Sequence, residues 1–130
     1  MSNYLHKELT SKVISIFYKV YNELGFGFLE KVYENALKYE LEKSGLCVER
    51  QKPINVYYHE KLVGEYFADL IVENKVILEL KAVESLCEAH EHQLINYLKA
   101  TNIEIGLLLN FGNKPEIRRK IFTNPSVNTC

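Results

Sequence analysis

The chain is expected to fold as a single α+β domain, three-layer and α/β/α-like, with elements in the order α-α-β-β-β-α-β. Three observations lead there. Two stretches of helical periodicity open the chain, and the period then switches to two between Cys47 and Lys81. One more helical stretch separates that region from a short apolar run at Ile105–Asn110. With 130 residues, the chain can bury one core unaided.

Val13, Ile16, Phe17, Val20, Tyr21 and Leu24 follow the i, i+3, i+4, i+7 spacing of an amphipathic helix. Gly25-Phe26-Gly27 interrupts it as a helix stop and tight connection. A second helix runs from Phe28 to Lys43, with Leu29, Val32, Tyr33, Ala36, Leu37 and Leu41 on its apolar side, and Ser44-Gly45 ends it. Val48 to Tyr58 is the first strand, and Pro53 places it at a sheet edge or a bulge, because proline has no N–H for a ladder. His59-Glu60 is a turn, Leu62 to Val72 the second strand, Glu73-Asn74 a two-residue hairpin turn, and Lys75 to Lys81 the third strand. A third helix spans Ala89 to Ala100, and Ile105 to Asn110 is a short, fully buried strand. Phe111-Gly112-Asn113 is a turn leading to a basic segment in which no further strand is expected. Positions 1–122 make up the domain, and 123–130 a flexible C-terminal tail.

Hydrophobic content of 47% with 25% charged residues is that of a soluble globular protein. No apolar run approaches the roughly 18 residues of a membrane span. The first eight residues lack the basic-then-apolar layout of a signal peptide, so a cytoplasmic protein is expected. Cys47, Cys87 and Cys130 are odd in number and irregular in spacing, which argues against a disulfide framework. Lys114, Arg118, Arg119 and Lys120 against Glu116 give positions 111–130 a net charge of +3, leaving −4 for the first 110 residues. That balance lacks the whole-domain basic footprint of avid duplex binders, but it is compatible with an enzyme whose acidic site takes up a cation.

The chemistry centres on Asp69 to Lys81. Side chains alternate along a strand, so Glu79 and Lys81 project to one face while Val76, Leu78 and Leu80 project to the other. Regular alternation of the second strand would put Phe67, Asp69 and Ile71 on one face and Tyr66, Ala68, Leu70 and Val72 on the other. Asp69 and Glu79 then lie on neighbouring antiparallel strands. Carboxylates that close repel, and one would be protonated at neutral pH unless a cation neutralised both. Mg²⁺ suits such a pair, because it takes one or two carboxylates, keeps several waters and engages phosphates. Lys81 would orient an attacking water or neutralise charge on a phosphate. The bland alternative is an exposed ion pair of Glu79 with Lys81, beside an Asp69 that caps a strand.

Two further patterns weigh against it. Glu30 and Tyr33 stand at i and i+3 at the start of the second helix, although a helix-opening glutamate is also explained by the helix dipole. Gln93 and Tyr97 stand at i and i+4 in the third helix, although a polar residue beside a core aromatic has the same spacing. Together these elements make the chain, over roughly residues 8–122, resemble the GxxExxY proteins of the PD-(D/E)XK nuclease superfamily. The name-giving motif reads Gly27, Glu30, Tyr33, and the superfamily signature falls on Asp69, Glu79 and Lys81, with Ala68 where the proline usually stands. The Gln93-x-x-x-Tyr97 pair is similar to that of the exonuclease branch.

The resemblance implies a restriction-endonuclease-like core with an extra helix in front, and a Mg²⁺- or Mn²⁺-dependent nuclease acting on nucleic acid, with DNA the expected substrate. It implies that Glu30, Asp69, Glu79 and the Leu80 carbonyl line the metal site. Lys81 would position the water, and Gln93 and Tyr97 would hold the lysine or the scissile phosphate. Tyr33, Lys52, Lys114, Arg118, Arg119 and Lys120 are candidate nucleic-acid contacts. A solvated basic face explains the cations equally well. Tyr57, Tyr58 and Tyr66 are candidates for stacking on bases, with core or edge packing as the alternative. Cys87, His90 and His92 lack a fourth ligand at zinc spacing, and His90, one turn before Gln93, reads as a helix-start residue near the site. A homo-oligomer or an unidentified protein partner is expected to help so small a basic patch grip its substrate. The competing class is a non-catalytic nucleic-acid-binding or protein-interaction module that keeps the fold; a third is a hydrolase of a small phosphorylated molecule.

Overall fold

The apolar residues of one six-residue strand divide between two faces, and that division sets the layer order. In the computed structural model, which describes residues 6–123, β3 (Val76–Lys81) turns Val76, Leu78 and Leu80 toward one cluster and Ile77 toward another. The first cluster is closed by α1 (Lys7–Leu24) through Val13, Phe17 and Val20, and by α2 (Glu30–Lys43) through Tyr33, Leu37 and Leu41. The second is closed by α3 (Glu88–Lys99) through Leu94, Tyr97 and Leu98. Helices therefore cover both sides of the sheet, as the three-layer expectation requires. Each fully buried Val or Leu in these clusters stabilises the fold by roughly 1.5–3 kcal/mol relative to leaving it in water.

The remaining strands are β1 (Val48–Tyr58), β2 (Lys61–Val72), β4 (Ile105–Phe111) and β5 (Pro115–Ile121). The sheet order is β1-β2-β3-β4-β5, with β3 and β4 parallel and every other pair antiparallel. A parallel neighbour needs a crossover, and α3 is that crossover. Both hairpin turns expected from sequence are present. His59 and Glu60, with φ of 49° and 66°, join the paired Tyr58 and Lys61 in a two-residue turn that matches strand twist. Glu73 and Asn74 also take positive φ (55° and 56°), but Val72 pairs with Val76, so that connection has three residues and Lys75 belongs to the turn rather than to the strand. Pro53 sits on the edge strand β1, facing Phe67.

Three expectations need correction. The basic segment is not merely a lead-in to a tail, because residues 115–121 form β5, paired along β4 from Ile105↔Ile121 to Phe111↔Pro115. It lacked an apolar signal because Glu116, Arg118 and Lys120 occupy one of its faces; charged edge strands of this kind resist pairing with other chains. On α2, Leu29 and Val32 are exposed, while Glu34 is buried. On β2, Ala68 does not share a face with Leu70 and Val72, but packs in the α3 cluster with Ile54 and Ile71. Of the tail expected at 123–130, residues 124–130 lie outside the described residues. Among the described residues, no helix is long and apolar enough to cross a membrane.

One buried polar residue ties the end of β3 to the β4–β5 turn. Asn110 is fully buried; its Oδ1 accepts from the Val83 N–H (3.0 Å), and its Nδ2 donates to the Val83 carbonyl and to Glu116 Oε1 (both 2.9 Å). A Cβ on Gly112 would stand 2.2 Å from the Val83 carbonyl oxygen, so only glycine lets the two loops approach. Asn110→Ala leaves buried groups on Val83 unpaired, and is expected to lower the unfolding free energy by about 2 kcal/mol. A lower urea midpoint at unchanged slope would register this loss.

Candidate active site

β2 and β3 stop pairing at Leu70↔Leu78, and the acids sit where they part. The Asp69 N–H, which a continuing ladder would give to a β3 carbonyl, donates instead to Glu79 Oε2 (2.8 Å). The Leu80 N–H in turn donates to Asp69 Oδ2 (2.9 Å). Each carboxylate thus closes the backbone gap opened by the other strand. Release from β3 also explains the lost alternation at Ala68, since β2 beyond this point pairs only with β1.

Both carboxyls hold their protons more tightly than usual. For Glu79, only 3% exposed, burial is the main cause and the neighbouring Asp69 charge the second, and together they push its pKa up to about 8. Burial likewise raises Asp69, opposed by its bond from the Leu80 N–H and reinforced by the charges of Glu34 and Glu30. This is the like-charge pair expected from sequence, with one member protonated at neutral pH.

The lysine is held from the opposite layer. Lys81 Nζ donates to Gln93 Oε1 (3.2 Å), and Gln93 Nε2 donates to the Tyr97 hydroxyl (3.1 Å). The i, i+4 spacing of Gln93 and Tyr97 on α3 makes that second contact possible. Burial, with Glu79 and Asp69 nearby, pushes the Tyr97 hydroxyl up to about 12, so it stays a neutral phenol.

The connection from α1 to α2 explains the Gly27, Glu30, Tyr33 pattern physically. Gly27 has φ 114°, a conformation side-chain-bearing residues rarely adopt. The Tyr33 hydroxyl donates to the Gly25 carbonyl (2.6 Å) and accepts from the Phe28 N–H (3.1 Å), while its ring stacks on Phe111 with centroids 4.2 Å apart. The loop is pinned, and Glu30 is left exposed in the first turn of α2. Asp69 and Glu79 both feel it as a like charge, but no group of three His, Cys, Asp or Glu among the described residues is arranged to hold a metal ion. The structure brings together Asp69, Glu79, Leu80, Lys81, Gln93 and Tyr97, with Glu30 at the margin.

The candidate nucleic-acid contacts are scattered. Tyr33 is a correction: fully buried with its hydroxyl engaged, it offers no surface to a ligand. Arg119 faces the α1 layer, where its Nη1 donates to Thr10 Oγ1 (3.0 Å). Arg118 and Lys120 pair with Glu91 of α3, and Lys52 pairs with Glu49 (3.0 Å). Lys52 lies on β1 and the others on or just before β5, at opposite edges of the sheet. Cys87 and His90 serve the start of α3, where the Cys87 N–H donates to His90 Nδ1 (3.1 Å).

Two residues of the site escaped sequence reasoning. Gln51 Nε2 bridges Glu34 Oε1 (3.2 Å) and Asp69 Oδ1 (3.4 Å). Adjacent residues on a regular strand face opposite ways, yet Arg50 and Gln51 both reach Glu34, and the positive φ of Gln51 (50°) permits it. Glu34 stands four residues after Glu30, so helical spacing could have flagged it. Nothing in the sequence marks Gln51.

A mixed sheet covered on both faces, with two acids where strands part and a lysine at a strand end, is the restriction-endonuclease-like arrangement. The crystal structure of SSO0001 shares the fold, with a TM-score of 0.60 at 17% identity, over 75% of this chain and 52% of that one. This chain thus spans about half the length of that protein. The model of the PD-(D/E)XK nuclease superfamily matches residues 7–120, and the chain belongs to that superfamily. No match was found among curated proteins.

The raised Glu79 sets a direction for stability against pH. Between about 4.5 and about 8 the unfolded chain has lost this proton while the folded chain keeps it, so stability falls as pH rises. The slope approaches roughly 1.4 kcal/mol per pH unit. Thermal melts of the metal-free protein from pH 5 to pH 8 should show the decline, and Glu79→Gln should flatten most of it.

Proposed function

We propose that this protein is a Mg²⁺- or Mn²⁺-dependent nuclease of the GxxExxY group that hydrolyses phosphodiester bonds, with DNA as substrate. The observation that carries the reading is the reciprocal lock of Asp69 and Glu79 beside a lysine held by Gln93. Burying two carboxyls costs stability, and the two backbone N–H bonds they accept could equally be accepted by uncharged amide oxygens. The donor types suit a hard divalent cation: Asp69 and Glu79 with the Leu80 carbonyl, and Glu30, exposed at the margin in the first turn of α2, as a further carboxylate.

Such a cation, when bound, would polarise the phosphodiester and make water a stronger nucleophile. The chain's own residues supply the rest. Lys81 places its ammonium where charge develops on the phosphate and orients the attacking water. Gln93 fixes the ammonium, and Tyr97, neutral across the working pH range, fixes Gln93. Lys52 and Lys114 are the proposed phosphate contacts away from the centre. The division of cations between two sheet edges supports a second reading, a binding module that keeps the fold without turnover, and it favours an oligomer or partner protein in either case.

Purified protein should cut at least one of linear, circular or single-stranded DNA in Mg²⁺ or Mn²⁺, with RNA as the comparison. Asp69→Ala and Lys81→Ala should each lower the rate about 100-fold or more. Cleavage unchanged in those variants, or no cleavage of any substrate, would sink the catalytic reading. Calorimetric Mn²⁺ titration separates the binding module, since the nuclease should show a heat that Glu79→Ala removes and that strengthens toward pH 8 as Glu79 gives up its proton.

A further inference from the structure

A groove of about 440 Å³ opens beside the Lys81–Gln93–Tyr97 chain, lined by Tyr66, His90, His92, Gln93, Asn96 and Tyr97. We propose that this groove is a nucleobase subsite, taking one unpaired base of a single-stranded nucleic acid next to the phosphate at Lys81. The inference rests on the nuclease reading for the phosphate, but its geometry is independent of turnover. The volume falls within the roughly 300–1,000 Å³ of sites for small organic groups.

Three features select a base. The first is continuity, because Gln93 lines the groove and holds Lys81, and Tyr97 lines it and holds Gln93, so a base seated here lies next to the site. The second is an aromatic wall. Tyr66 is 41% exposed, and its ring lies 5.5 Å from that of Tyr97 at an interplanar angle of 46°, leaving ring surface on which a base can stack. Its place follows from the parting of β2 and β3: Tyr66 pairs with the buried Ile54 and, two residues before Ala68, shares the face that looks toward α3.

The third feature is polarity. Asn96 is exposed and its amide makes no hydrogen bond among the described residues, so it offers a donor and an acceptor to a base edge. His92, exposed, adds an imidazole to the lining. None of the lining residues is acidic, whereas the cavities at the β4–β5 turn and between α1 and α2 contain Glu84 with Glu116, and Glu23 with Glu40. A base must leave its stack to enter, which selects single strands or frayed ends over intact duplex.

The test is a titration of the ¹⁵N-labelled full chain, followed by NMR in EDTA so that nothing is cut. The probes are a deoxytetranucleotide, the matching ribotetranucleotide and a blunt duplex of the same sequence repeated. The expected result is a saturable shift at the Asn96 side-chain amide and the backbone of Tyr66 and His92 with either single strand, the stronger one naming DNA or RNA, and little response to duplex. Tyr66→Ala should weaken binding about fivefold or more, and Tyr66→Phe should keep it, since stacking needs only the ring. Shifts that avoid the groove, an equal response to duplex, or unchanged affinity in Tyr66→Ala would overturn the proposal. Single-strand binding at the groove in a protein that cuts nothing would keep the subsite and remove the nuclease reading; duplex cleavage without groove binding would do the reverse.

Discussion

Everything distinctive about this molecule depends on β2 pairing with β3 only from Leu70 onward, and standing apart from it before that residue. An antiparallel pair that separates exposes N–H and carbonyl groups inside the protein, and unpaired backbone is expensive to bury. Here the gap is closed by side chains, with Asp69 serving the Leu80 N–H and Glu79 serving the Asp69 N–H. The same two bonds hold the carboxyls in place, Glu79 buried and Asp69 partly so. Strand divergence and acid pair are one feature, which is why the site cannot be moved along the sheet without rebuilding it.

Each layer then delivers one component to that point. The α1–α2 layer brings Glu30 and Glu34, placed by a loop that Tyr33 pins and by a helix whose apolar side packs on the sheet. The edge strand β1 brings Gln51, turned inward by its positive φ. The opposite layer brings Gln93 and Tyr97, one helical turn apart on α3. Lys81 lies between them at the end of β3, and Asn110 anchors the loop that follows. Glu30 and Glu34 come from one side of the sheet and the restraint on Lys81 from the other.

Charge on the outer strands follows a different logic. The cations of β5 are committed to Glu91, Glu116 and Thr10, and so serve to dock α3 and α1 and to blunt an edge. The groove beside Gln93, by contrast, is free of acids and walled by Tyr66.

The helices, the first four strands, both hairpin turns and the closeness of Asp69 to Glu79 on neighbouring strands were legible in the residues, because periodicity and turn chemistry are local. The rise in acid pKa was legible in direction, since carboxyls set on apolar strands lose water on burial, and for Glu79 the charge of Asp69 adds to that. Three things were not. β5 carries its ion pairs where a strand usually carries apolar side chains, so only pairing with β4 reveals it. Tyr33 sits in a motif with a functional look, but its ring fills the core against Phe111. Gln51, and the face on which Tyr66 and Ala68 lie, depend on how far β2 turns once β3 releases it. Local sequence encodes which residues are available to the site; the break in one ladder of hydrogen bonds, a contact between distant strands, decides which of them meet.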